Sequence, residues 1–339
     1  MHIGLMRTWL GAFGTAVLSI AVLNIAVLGS AVIGTASAAS AASDGPLIAV
    51  FTKNLTNPAY ANARIGADKA AIAAGARTQH YVPDKPDDVE QQKALVDKAL
   101  LDKPDLVVFI PVDDVAMVDS LKKFTGAHIP VVTAVSQIKG DVVAFVGSDD
   151  VEVGYKAARD LFTKLGGKGK VVVLEGLAAS TTSRDRNRGI QRATKEFPGI
   201  EVLASVSGQY DRKYSKGVMA DLLTKHLVID GIVAANDPMA LGALDAMHDV
   251  GRKSLVVGAN GAVDAVKRIE SGEMLSSVDF NTFRIACVAT EAVLRAKRGE
   301  TVPAKITLSA DLIDGSNYKA AMTPFPERTC PKWDDVIKP

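Results

Sequence analysis

From Pro46 onward the chain alternates short β-rich apolar runs with helical stretches, and this leaves few folds open. The strand candidates are Leu47–Thr52, Thr78–Val82, Leu106–Ile110, Val131–Val135 and Val142–Val146, then Lys170–Leu174, Val202–Val206, Gly231–Ala234, Leu255–Val257 and Leu275–Val278. Between them lie segments rich in Ala, Lys, Asp and Leu, such as Ala59–Ala74, Asp88–Leu101, Val153–Leu165, Arg184–Glu196 and Pro238–Val250. The strands are apolar without polar alternation, as expected where helices cover both faces of a parallel sheet. So many strands exceed one compact doubly wound unit, and the pattern restarts after the turn Gly166-Gly-Lys-Gly169. The chain therefore reads as α/β, with two similar doubly wound parallel-sheet lobes. A TIM barrel is the competitor, but it would need eight βα units without a restart.

Before this region, Arg7 is followed by an uncharged run from Thr8 to Ser43 that ends in small residues, Thr35-Ala-Ser-Ala38-Ala-Ser-Ala-Ala42. Ala36-Ser37-Ala38 fits the cleavage pattern of a secretory signal peptide, with cuts after Ala38 or Ala41, so residues 1–38 read as a leader. The apolar region from Leu10 to Ile33 is also long enough for an uncleaved anchor. A lipoprotein anchor is excluded, because no cysteine precedes Cys287. The expectation is a soluble, monomeric exported protein in the periplasm. In that compartment Cys287 and Cys330 either form a disulfide or remain a buried helical thiol and a tail thiol.

Lys and Arg total 39 against 38 Asp and Glu, and removing Arg7 with the leader balances them. No basic block exists, so nucleic acid is excluded as a partner. The histidines (His2, His80, His128, His226, His248) are scattered, and no Cys/His spacing suits a metal. Ser180–Ser183 lacks a GxSxG elbow, Gly166–Gly169 precedes a strand, and Val257-Gly-Ala-Asn-Gly261 lacks GxGxxG. Without a nucleophile–base constellation or a cofactor motif, the chain reads as a binder needing no cofactor, not an enzyme.

A neutral polyhydroxyl ligand calls for planar multi-donor side chains to fix its hydroxyls and for aromatic rings to cover its apolar face. In open parallel sheets such groups sit just beyond the carboxyl ends of the strands. Asn57-Pro-Ala-Tyr60 follows the first strand, and Arg184-Asp-Arg186 follows the first strand after the restart. Gln209-Tyr210-Asp-Arg212, Asn236 and Asn260 follow later strands. In Asn236-Asp-Pro-Met239, Asn236 falls at the strand edge, Asp237 is placed to cap the next helix, and Pro238 suits its first turn.

From Pro46 to about Tyr318 the chain resembles the type-1 periplasmic binding proteins of the ribose/galactose branch. The motifs that carry the likeness are Asn57-Pro-Ala-Tyr60, Gly147-Ser-Asp-Asp150, Ser183-Arg-Asp-Arg186-Asn-Arg-Gly189 and Asn236-Asp-Pro-Met-Ala-Leu-Gly-Ala-Leu244. The resemblance implies two lobes joined by a hinge that the chain crosses more than once, closing on a small carbohydrate-like ligand for an ABC transporter permease. A chemoreceptor or sensor kinase is the alternative partner. It places residues 46–148 plus 282–304 in one lobe and 149–281 plus 305–323 in the other, with Lys305–Leu312 as a strand returning to the second and 324–339 as a surface tail.

By the same resemblance Asn57, Arg186 and Asn236 match ligand-bonding positions, and Tyr60 and Tyr210 match ring-stacking ones. Several positions depart from the family pattern. Val135-Ser136 replaces an Asp-Arg pair, Ile110 an asparagine, Ala259-Asn260 an aspartate, Phe280 a glutamine and Ala59 an aromatic. Lys53 stands where a small hydroxyl residue is usual. Losing the charged pair removes charge-assisted hydrogen bonds, and each sugar hydroxyl left unpaired costs roughly 1–3 kcal/mol. Ribose itself is therefore disfavoured. Two ligand classes stay open: a neutral polyol or deoxysugar covered by Phe280 and Ile110, and an anionic sugar derivative or small acid held by Arg186 and Lys53. The candidate contacts are Lys53, Asn57, Tyr60, Ser136, Arg186, Tyr210, Asn236, Asn260 and Phe280.

Overall fold

The computed structural model describes residues 45–337; the apolar leader and its cleavage sites lie outside them. The first group of elements is β1 (Leu47–Phe51), α1 (Pro58–Ala73), β2 (Arg77–Tyr81), α2 (Val89–Asp102), β3 (Leu106–Phe109), α3 (Val118–Gly126), β4 (Val131–Ala134) and β5 (Ala144–Ser148). The second begins with α4 (Asp150–Lys164), β6 (Lys168–Glu175), α5 (Thr181–Glu196), β7 (Gly199–Ser207) and α6 (Arg212–Lys225). It continues with β8 (Gly231–Ala234), α7 (Asp237–Asp249), β9 (Leu255–Ala259), α8 (Val263–Glu270) and β10 (Ser276–Asp279). The chain then forms α9 (Thr282–Lys297), β11 (Lys305–Leu308) and β12 (Asp311–Asp314).

Two six-stranded sheets result, ordered β11-β5-β4-β3-β1-β2 and β12-β10-β9-β8-β6-β7. Apart from the edge strands β11 and β12 the two orders are the same. All pairings are parallel except that of β12 with β10. Each sheet therefore has a switch point, between β1 and β3 and between β6 and β8, where ligands of such sheets bind. Inner strands such as β1 and β3 are buried along their whole length, while the edge strands β2 and β7 carry exposed positions. Ile48 and Val50 belong to the core shared with α1 and α9; Ala49 and Phe51 belong to the core on the opposite face, where Phe51 stacks on Tyr81 at 4.9 Å.

The helices α4 and α5 pack unusually closely. A Cβ at Gly154 of α4 would strike the Arg186 backbone of α5, and one at Gly189 of α5 would strike the Val151 backbone of α4. The absence of both side chains lets the helices meet backbone to backbone, which fixes where α5 presents Arg186.

The chain crosses between the sheets after β5, after β10 and after β11, with α9 returning to pack on α1 and β3–β5. The third crossing corrects the expected strand Lys305–Leu312. Lys305–Leu308 joins the first sheet beside β5, and only Asp311–Asp314 joins the second. These are four-residue edge strands, the first alternating between exposed and buried positions and the second with only Ile313 buried, joined through the buried Ala310, so their pattern reads as one strand. The segment from 324 is also more than a surface tail. Phe325 is buried against Phe283, and Cys330 is disulfide-bonded to Cys287 of α9 with a Cα–Cα distance of 5.6 Å.

Candidate functional site

The strand ends of both sheets face one another across a narrow cleft. From the first lobe come Asn54 and Asn57 of the β1–α1 turn, Tyr60 of α1, Asp87 of the β2–α2 turn and Val135 after β4. The second contributes Thr182 and Arg186 of α5, Tyr210 before α6, Asn236 before α7, Asn260 after β9 and Phe280 after β10. The walls are nearly closed on one another, leaving a cavity of only about 10 Å³, about one water's worth of space. A larger cavity lies elsewhere, where Leu165, Leu227 and Leu255 line the opposite ends of the second sheet's strands, away from these polar groups.

Seven of the nine sequence candidates line this cleft: Asn57, Tyr60, Arg186, Tyr210, Asn236, Asn260 and Phe280. Lys53 and Ser136 do not. Lys53 is 2% exposed, so it is not the outward-pointing rim lysine that its position also allows. Ser136 is buried and its hydroxyl has no hydrogen-bond partner. Ile110, expected to cover a ligand's apolar side, is likewise buried outside the lining.

The asparagines serve the fold and the cleft together. Asn57 caps α1, its Oδ1 accepting the Ala59 N–H at 3.0 Å and, across the cleft, the Asn260 Nδ2 at 3.2 Å. Asn236, not Asp237, caps α7: its Oδ1 accepts the Met239 N–H at 3.0 Å, and its Nδ2 donates to Tyr210 O. Asp237 is fully buried instead, accepting the Ala262 N–H and the Ser277 hydroxyl. Burial pushes its pKa up to about 7 against those two hydrogen bonds. Each amide capping one helix retains further hydrogen-bonding capacity for a ligand.

Arg186 is 3% exposed. Its Nε donates to Asp150 Oδ1 at 2.8 Å and its Nη1 to Ala235 O at 2.6 Å, while the guanidinium lies 4.6 Å from the Phe280 ring centre. Burial opposes its charge, but Asp150 and the neighbouring tyrosines outweigh that and raise its pKa, so it stays cationic. Burial also raises Asp150, with Arg186 pulling the other way.

Asp87 and Asn54 are site residues that the sequence reading missed. Asn54 Nδ2 donates to Asp87 Oδ2 at 2.8 Å, and Asn54 Oδ1 accepts the Asn57 N–H. Burial raises the Asp87 pKa against the pull of Lys53. The only signal was position, since both residues follow a strand of the first sheet. Val135 sits at φ 62°, a left-handed conformation that costs a β-branched residue roughly 1–2 kcal/mol and marks a constrained wall position. Tyr60 and Tyr210 stay protonated phenols, because burial raises both. Among the described residues no cluster of His, Cys, Asp and Glu could hold a metal, and no helix is long and apolar enough to cross a membrane.

Residues 48–301 match the family described as periplasmic binding protein domain. The ribose import binding protein of Salmonella typhimurium is 32% identical over 280 residues, covering 82% of this chain and 93% of that protein. The D-allose-binding periplasmic protein of Escherichia coli is 28% identical over 278 residues, covering 78% and 89%. Among solved structures, an ABC transporter periplasmic solute binding protein from Actinobacillus succinogenes with bound D-allose has a TM-score of 0.77 at 28% identity, covering 81% of this chain and 99% of its own.

Proposed function

The chain belongs to the periplasmic binding protein family, and we propose that it is the solute-binding subunit of an ABC importer for a small neutral sugar or polyol. It is a binding protein: the lobes close on the ligand and present the closed form to a permease, with no covalent step. Periplasmic residence fits the apolar leader and the Cys287–Cys330 disulfide, a bond of oxidising compartments.

The observation that carries the ligand class is the charge balance of the cleft. Arg186 is already committed to Asp150 and Ala235 O, and Asp87 and Asp150 offset the Lys53 ammonium. No uncompensated cation remains for an anion. The groups left to a ligand are the amides of Asn54, Asn57, Asn236 and Asn260, the hydroxyls of Tyr60, Thr182 and Tyr210, and the Phe280 ring. That set bonds hydroxyls and covers one apolar face.

A thermal-shift panel on the chain purified from residue 39 tests this, using D-ribose, D-allose, xylitol, myo-inositol, sugar acids and small carboxylates. A ligand at 100 times its Kd adds about 2.7 kcal/mol of stability. A neutral hit lost in Asn236→Ala and Arg186→Ala is expected; hits confined to acids would overturn the neutral assignment. A deletion strain that keeps uptake but loses a chemotactic or transcriptional response would move the chain from transport to signalling.

A further inference from the structure

Lys53 is the one charged group of the cleft region that the ligand reading leaves without a task. It belongs to the β1–α1 turn of the first lobe, is 2% exposed, and has one hydrogen-bond acceptor, Ser180 Oγ of the second lobe at 3.5 Å. An ammonium carries three donors, so this is sparse satisfaction for a buried charge. Ser180 does not cap α5 with its side chain, which leaves the hydroxyl free for other partners. It stands 2.8 Å from Thr182 Oγ1, and Thr182 Oγ1 stands 3.0 Å from the Tyr210 hydroxyl. Thr182 and Tyr210 both line the cleft. A continuous hydrogen-bonded row thus runs from a lysine of one lobe into the ligand-facing hydroxyls of the other.

We propose that Lys53 is a positioning residue that couples lobe closure to the ligand pocket, docking on Ser180 only when the lobes close and thereby ordering the Thr182 and Tyr210 hydroxyls that the ligand meets. The proposal rests on the two-lobe binding reading above and deepens it.

Its signature is proton-linked closure. The charged groups around Lys53 are Asp87 from the β2–α2 turn, Asp114 from the β3–α3 turn, Asp150 from α4 and Arg186 from α5. Burial lowers the Lys53 pKa and the three carboxylates only partly restore it. An opened cleft returns the ammonium to water and its ordinary pKa near 10.4. Closing therefore releases a proton between the two values, and closure strengthens as pH rises through that window. Burial also raises the pKa values of Asp87, Asp150, Tyr60 and Tyr210.

The test is small-angle X-ray scattering of the purified chain, without added ligand, from pH 7 to 9.5. In the wild type the ratio of closed to open molecules should rise, by at most about tenfold per pH unit for one released proton. Lys53→Met carries no charge and Lys53→Arg carries a permanent one. Both should remove the pH dependence, the first holding the protein more closed than the wild type at pH 7, where the lysine is charged, and the second more open. Ser180→Ala, which keeps the lysine, should retain the slope but lower the closed fraction at pH 7. A slope that survives in Lys53→Met, a flat wild type, or Met and Arg variants displaced in the same direction would each overturn the proposal. Should Lys53→Met fail to fold, Lys53→Arg and Ser180→Ala carry the test. Failure of every sugar and polyol to bind, with the slope intact, would sink the ligand assignment and leave the coupling standing.

Discussion

Arg184 Nη2 grips both carboxylate oxygens of Asp114, at 2.8 and 2.9 Å, and the two residues belong to opposite lobes. The same guanidinium is braced from below, its Nη1 donating to Ala178 O and Ala179 O. One nitrogen makes both contacts, so this is not the two-nitrogen fork, but bracing of the guanidinium lowers the entropy cost of holding the exposed pair. Asp114→Asn and Arg184→Gln should each weaken closure by about 0.2–1 kcal/mol, up to about a fivefold fall in the closed fraction relative to the open. Scattering at low and high salt reads this directly: the wild type should open somewhat as salt rises, and the variants should respond less.

The backbone contact between α4 and α5 predicts an asymmetry among glycines. Gly189→Ala pushes a methyl into the Val151 carbonyl and should cost about 1–3 kcal/mol in urea unfolding. Because α5 carries Arg186, ligand affinity should fall with it. Gly217→Ala in α6 meets nothing within 4 Å and should instead stabilise by about 0.5–1 kcal/mol, with affinity unchanged.

Asp237 makes stability depend on pH in a definite direction. Its pKa in the folded protein is about 7, against about 3.9 for an unfolded aspartate, so folding takes up a proton between those values. Its contribution is fully present below the unfolded pKa and is lost as pH rises through 7. Asp237→Asn should therefore be least destabilising, relative to the wild type, above pH 7. The gap should widen by at most about 1.4 kcal/mol per pH unit between pH 7 and 4. Guanidinium melts of both proteins across that range measure it.

The disulfide ties positions separated by 43 residues, and among the described residues none beyond 280 lines the cleft. Replacing Cys287 and Cys330 by Ser should lower stability by about 2–4 kcal/mol while ligand affinity changes little. Calorimetric melts and titrations on the same sample separate the two effects.

Much of this architecture was legible because buried parallel strands leave a simple trace: runs such as Leu106–Phe109 are apolar at every position. The edge strands β11 and β12 left only a blurred one, merged into the single expected strand Lys305–Leu312, since each is four residues long. In the site, the turn residues Asn57, Asn236 and Asn260 were legible from position alone. Asp87 was not, because Asp84-Lys-Pro-Asp-Asp88 reads as a solvated charged loop and its partner Asn54 lies 33 residues earlier. Successive side chains at a strand end also diverge, so Val135 reaches the cleft and its neighbour Ser136 does not. The same uncertainty of direction made Lys53 look like a ligand contact or a rim residue, when it is a buried link between lobes.

The third crossing of the chain has a consequence for how such a molecule comes into being. The first sheet begins at Leu47 but receives its last strand, Lys305–Leu308, only after the whole second sheet except β12 has been laid down. A chain emerging N-terminus first thus carries an unfinished edge at β5 for most of its length, open to pairing with other chains. The first sheet is therefore complete only once nearly the whole chain has been made.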